Sequence, residues 1–167
     1  IRIDTERLRK DWESLHAIPE IGFKEYKTSA YLKERLREMG YQVSSVAGTG
    51  LLARLDGDEP GALVGLRADM DALQFHNEDG SAEMIHACGH DAHCSMVLAA
   101  GEFAARQGLK KGTLFLLFQP AEETICGASR VIKDGGLPHF DALFGIHLRP
   151  RSEIPMGTAT AQLLHQA

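Results

Sequence analysis

Between Met84 and Cys94 the chain reads Met-Ile-His-Ala-Cys-Gly-His-Asp-Ala-His-Cys, which gathers histidines, cysteines and an aspartate into one short segment. Imidazole nitrogen and thiolate sulfur are common ligands of zinc. Cys88 and His90 are two positions apart, so in an extended backbone they project from one face and can reach a single divalent ion. Gly89 between them permits a sharp backbone path. The ordinary alternative is a buried cysteine beside histidines that cap a helix or find core partners, and only residues elsewhere in the chain separate the two readings.

Three other segments offer matching chemistry. Arg67-Ala68-Asp69-Met70-Asp71 carries two carboxylates that share a face if the backbone is extended, suited either to holding or orienting a metal site or to capping a turn. The nearly continuous apolar run Thr113 to Phe118 reads as a strand covered on both faces, and it leads into Gln119-Pro120-Ala121-Glu122-Glu123. Acids at the carboxyl end of a central strand lie where open α/β sheets bind ligands. If extended, Glu122 and Glu123 point to opposite sides, one free to bind an ion and the other to face a water; a solvated acidic turn is the plainer reading. A second apolar strand, Asp141 to Ile146, delivers His147 at its end. Cys88, His90, the Glu122–Glu123 pair and His147, all at predicted sheet edges, favour a joint metal site over independent coincidences.

The elements that must position these groups follow from periodicity. A helix is predicted from Asp4 to His16, capped by Asp4 or Thr5, with Leu8, Trp12 and Leu15 on one face. A second spans Glu25 to Met39, with Tyr31, Leu32, Leu36 and Met39 inward and Gly40 as its stop. Tyr41 to Val46, Gly50 to Leu55 and Ala62 to Ala68 read as strands, and the turn-rich Asp56 to Gly61 suggests that the second and third pair as a hairpin. Asp91 to Arg106 is a helix packing through Met96, Val97, Ala100 and Phe103, with Asp91 suited to its N-terminus. A short helix covers Gly127 to Gly135.

At 167 residues and 44% hydrophobic content, the chain can bury a core without disulfide staples. A net charge of −5 argues against nucleic acid or an anionic membrane surface as partner. Three cysteines without framework spacing point to a reducing compartment, and a cytoplasmic location is expected.

Five motifs together, His16 to Phe23 (His-x-x-Pro-Glu-x-Gly-Phe), Arg67 to Leu73 (Arg-Ala-Asp-Met-Asp-Ala-Leu), His86 to His93 (His-Ala-Cys-Gly-His-Asp-x-His), Phe118 to Glu123 (Phe-Gln-Pro-Ala-Glu-Glu) and Gly145 to Pro150 (Gly-x-His-Leu-x-Pro), resemble the amidohydrolase branch of the aminoacylase and carboxypeptidase-G superfamily. The resemblance implies a zinc-exopeptidase-like α/β fold, a mixed sheet flanked by helices. It implies Cys88, His90, Glu123 and His147 as metal ligands, Glu122 as general base, and Asp69, Asp71 and Asp91 near the site. It further implies two divalent ions per complete enzyme, zinc or manganese ahead of cobalt or nickel, and a small N-acyl amino acid or peptide-like substrate.

The chain departs from that pattern in two ways. Gln74 stands where the family usually has proline. Family members are also more than twice as long, with a lid and dimerisation domain and one more histidine ligand. Residues 1–156 are therefore expected to be the N-terminal part of a catalytic domain and 157–167 the start of a lid, with any homodimer contact lying in that lid. No metal role is expected for His165. The alternatives are a shortened, metal-binding but inactive interaction module and a structural domain whose cysteine and histidines are core residues.

Overall fold

The computed structural model describes residues 2–159. Helix α1 (Thr5–His16) begins at Asp4, whose side chain accepts a hydrogen bond from the Arg7 amide. Leu15 is buried as expected, but Trp12 is half exposed and Asp11 takes the inward place. The reason lies on α2 (Tyr26–Glu38). The Arg35 guanidinium donates to both oxygens of Asp11 and the Tyr31 hydroxyl donates to one, so the carboxylate is buried with partners.

Strands β1 (Gln42–Val46) and β2 (Gly50–Asp56) form an antiparallel hairpin. The predicted pairing of β2 with β3 (Glu59–Asp69) does not occur. Strand β6 (Lys111–Gln119) lies between them, antiparallel to β2 and parallel to β3, and β7 (Ala142–Gly145) pairs parallel with the far edge of β3. The sheet order is β1-β2-β6-β3-β7. A strand apolar on both faces gains most from the centre, where both edges are hydrogen-bonded and both faces covered. The turn chemistry of residues 56–61 serves instead to fold the chain around the start of β6, where the Gly57 amide donates to the Gly112 carbonyl.

Alternate residues of β6 feed two cores. Leu116 and Phe118 pack with Leu15, Leu32, Leu36 and Leu98 beneath α1, α2 and α3 (His90–Gln107). Phe115 and Leu117 pack on the other face with Val46, Leu52 and Val131 of α4 (Gly127–Lys133). The result is a mixed sheet flanked by helices.

The connection from β3 to α3 holds a hairpin that periodicity did not suggest, β4 (Leu73–His76) and β5 (Ala82–Ile85), turning through Asn77 to Ser81. Gln74, in place of the expected proline, sits in β4 opposite Met84. Strands β3, β6 and β7 run parallel, so Asp69, Gln119 and Gly145 bring their chain ends to one edge, and α3 starts there. Residues 160–167, including most of the predicted lid segment and His165, lie outside the described residues.

Candidate metal centre

Gly89 adopts a left-handed conformation with φ +81° and forms the N-cap of α3. Cys88 therefore lies in a turn and His90 is the first helical residue. The two side chains converge through this reversal, not through the extended backbone predicted for them.

His90 is fully buried. Its Nδ1 lies 2.9 Å from the Asp71 carbonyl oxygen and 3.2 Å from Asp71 Oδ1, both acceptors, so the proton resides on Nδ1 and the Nε2 lone pair is left free. That Nε2 is buried and has no hydrogen-bond partner among the described residues. It is 3.8 Å from Glu122 Oε2, 3.8 Å from Glu123 Oε1 and 3.7 Å from Asp69 Oδ2. Glu122 and Glu123 sit in a turn after β6, so they approach the same imidazole nitrogen instead of opposite sides. Glu123 Oε1 is likewise buried and without a hydrogen-bond partner, and the Glu123 amide donates to Asp71 Oδ2 at 3.0 Å. Asp71 thus orients both His90 and Glu123.

Two overlapping groups of donors result, in each of which the ligand atoms lie within 4.8 Å of one another: Cys88, His90 and Glu123, and Asp69, His90, His93 and His147. Cys88 Sγ is 3.6 Å from His147 Nε2, while His147 Nδ1 meets the Leu148 carbonyl and keeps the proton. The separations fit a cation, because donors at about 2.1 Å from a tetrahedral ion lie roughly 3.5 Å apart. Neutral partnerless atoms at this depth would be costly, and a core-histidine reading leaves His90 Nε2 unexplained.

His93, to which sequence reasoning gave no role, belongs to the site's support. Its Nδ1 donates to Asp69 and its Nε2 accepts from the Leu148 amide at 2.9 Å, so both nitrogens are engaged and the ring fixes the segment carrying His147. The signal for it was the three-residue spacing from His90 on one helix face. Asp91 is buried beside the site, but its carboxylate is directed to His16 Nδ1 at 2.7 Å.

Charge follows geometry. Burial pushes the Asp69 carboxyl up, but the His93 hydrogen bond and the charges of Arg67 and His90 outweigh it and hold the group well below the carboxylate range. Burial and the neighbouring Glu123 carboxylate push the Cys88 thiol up to about 11. Burial depresses His90, yet Asp71 and Asp69 reverse the shift and raise it. These surplus negative charges suit a cation. A cleft of about 950 Å³ opens over the centre, lined by His86, Cys88, Glu122, Glu123, His147 and Arg149 among others.

Residues 65–160 match the profile described as Peptidase family M20/M25/M40. The chain belongs to this family. It is 41% identical over 152 residues to the N-acetyl-L-cysteine deacetylase of Bacillus subtilis, covering 86% of this chain and 36% of that protein. It is 39% identical over 145 residues to the hippurate hydrolase of Campylobacter jejuni, covering 81% of this chain and 38% of the relative. A Bacillus subtilis crystal structure described as a dinuclear metal binding peptidase from the M20 family superposes with a TM-score of 0.76 at 34% identity, over 87% of this chain and 43% of that one. The chain thus spans under half the length of these relatives. Among the described residues, no helix is long and apolar enough to cross a membrane.

Proposed function

We propose that this chain supplies the ligands and the proton-transfer carboxylate of a metal-dependent hydrolase of N-acyl amino acids or related amides. The observation that carries the proposal is the pair of buried, partnerless donors His90 Nε2 and Glu123 Oε1, 3.8 Å apart beside Cys88 and Glu122. Cys88, His90, Glu123 and His147 would hold the ions, two in the complete enzyme. The thiol favours zinc, with manganese, cobalt and nickel also compatible with the imidazole and carboxylate donors. The bound ions supply Lewis acidity, polarising an amide carbonyl and making water a nucleophile near neutral pH. The relatives' names, a deacetylase of N-acetyl-L-cysteine and a hydrolase of hippurate, support this substrate class. The reading places the enzyme in the cytoplasm.

Within that reading the chain's own residues divide the work. Asp71 holds the His90 proton on Nδ1 and ties the Glu123 backbone, so both donors keep their orientation. Glu122, the more exposed of the acid pair, accepts the proton of the attacking water on a carboxylate oxygen. It then gives that proton to the departing nitrogen as the C–N bond breaks and the new C–O bond remains, releasing a carboxylate and an amine. No covalent intermediate with the protein is required.

In the complete enzyme, Glu122→Gln should keep its zinc while amide hydrolysis falls by about 10²–10⁴-fold, because an amide cannot accept the proton. Glu123→Gln should instead lower zinc content, measured by elemental analysis after desalting. The opposite pattern would exchange the two roles, and near-normal turnover in both variants would remove the pair from the reaction.

A further inference from the structure

One charged group in the cleft has no part in this chemistry. Arg149 is the only lysine or arginine among the residues lining the cleft, which otherwise carries the acids Glu122, Glu123 and Glu153. It lies two residues beyond His147, on the segment that His93 pins through the Leu148 amide. Its side chain is three-quarters buried. Arg149 Nε is buried and has no hydrogen-bond partner among the described residues, and its one contact to an acid is a long 3.5 Å approach of Nη1 to the exposed Glu153.

A guanidinium presents its N–H groups as a planar fork that matches the two oxygens of a carboxylate. Here one prong is unused and the other weakly held, inside the same cleft as the metal-type donors. We propose that Arg149 binds the free α-carboxylate of the substrate, making it the residue that selects N-acyl amino acids over neutral amides. The proposal rests on the reading of the cleft as an amidohydrolase site and deepens it. The acids in the cleft repel a substrate carboxylate, so a fixed positive charge must hold it, and Arg149 is the group placed to do so. Glu153, on the next helical-type turn, competes weakly for the same fork and gives way when a better-placed carboxylate arrives.

The test is binding of N-benzoylglycine against its neutral counterpart N-benzoylglycinamide to the 167-residue chain, followed by amide chemical shifts in metal-free and zinc-loaded samples. The metal-free parent should bind the carboxylate at least about ten-fold more tightly than the amide, the difference a charged hydrogen-bonded pair makes. Arg149→Met should abolish that preference. Arg149→Lys should keep only part of it, having charge without the fork. Glu153→Gln, an exposed change that does not endanger the fold, should strengthen carboxylate binding by freeing Arg149.

A preference that survives Arg149→Met, that appears only with zinc, or that is absent from the metal-free parent would overturn the proposal. Failure of the parent to take up zinc would instead overturn the metal reading, leaving the metal-free comparison to stand or fall alone.

Discussion

Glu25 is fully buried at the N-cap of α2, yet its carboxylate makes no capping bond there. Both oxygens are committed elsewhere: one accepts the Ala121 amide at 2.8 Å and the other the Thr49 hydroxyl at 2.5 Å. The first α2 amides are satisfied by Glu20 instead. Ala121 has φ +53°, an unfavourable conformation for a residue with a side chain, and it immediately precedes the Glu122–Glu123 pair. Glu25 is therefore the strut that holds the acid turn in its strained shape. Glu25→Ala leaves a buried amide and a buried hydroxyl without acceptors, each costing about 1–3 kcal/mol, and removes packed volume besides. A total of about 2–4 kcal/mol follows, or on the order of 5–10 °C in melting temperature for a chain of this size. Glu25→Gln is the informative control. Its carboxamide oxygen can accept from Ala121 while its nitrogen donates to the Thr49 oxygen, so the loss should stay below about 1.5 kcal/mol. Urea denaturation followed by circular dichroism gives the stabilities, and hydrogen exchange of the Ala121 amide localises the effect: exchange should quicken in Glu25→Ala beyond its rise at unrelated core amides. A Glu25→Ala variant within about 0.5 kcal/mol of the parent, or a glutamine variant as damaged as the alanine one, would refute the strut.

Gly127→Ala would place a methyl carbon 1.8 Å from the Pro120 carbonyl oxygen, so α4 or the end of β6 must shift; a loss of about 3 kcal/mol or failure to fold is expected. Gly136→Ala, with 3.5 Å to a Val46 methyl, should be tolerated, and chemical denaturation of the two compares them directly. Burial raises the Tyr41 phenol above its ordinary value, and its hydroxyl donates to the Gly101 carbonyl. A raised folded value contributes stability that is full below pH about 10 and is lost as pH climbs toward the folded value. Tyr41→Phe should therefore flatten the alkaline fall in stability, and identical alkaline slopes in the two proteins would contradict the assignment.

The donors themselves were legible in the chain because their signals are local. Cys88, Gly89 and His90 sit side by side; the apolar run of β6 announces a strand end before Glu122 and Glu123; and the apolar run before His147 announces another. Helix limits and the α/β class came from periodicity that a few residues suffice to express. The partners of those donors did not show, because they are chosen by chain closure across long separations. Asp71 meets His90 from 19 positions away and Glu123 from 52, His93 meets Leu148 from 55, and Glu25 meets Ala121 from 96. The same limit misplaced β3. Turn chemistry between β2 and β3 shows where the chain reverses, but which strand fills the space between them depends on the non-local gain from covering both faces of β6. Sequence thus determined which groups could do chemistry and roughly where elements begin and end. Tertiary structure alone decided that Asp11 is buried and Trp12 half exposed, that Cys88 and His90 meet through a left-handed glycine, and that His90 Nε2 and Glu123 Oε1 face each other without protein partners. Burial and hydrogen-bond satisfaction belong to the packed chain, and no stretch of sequence carries them by itself.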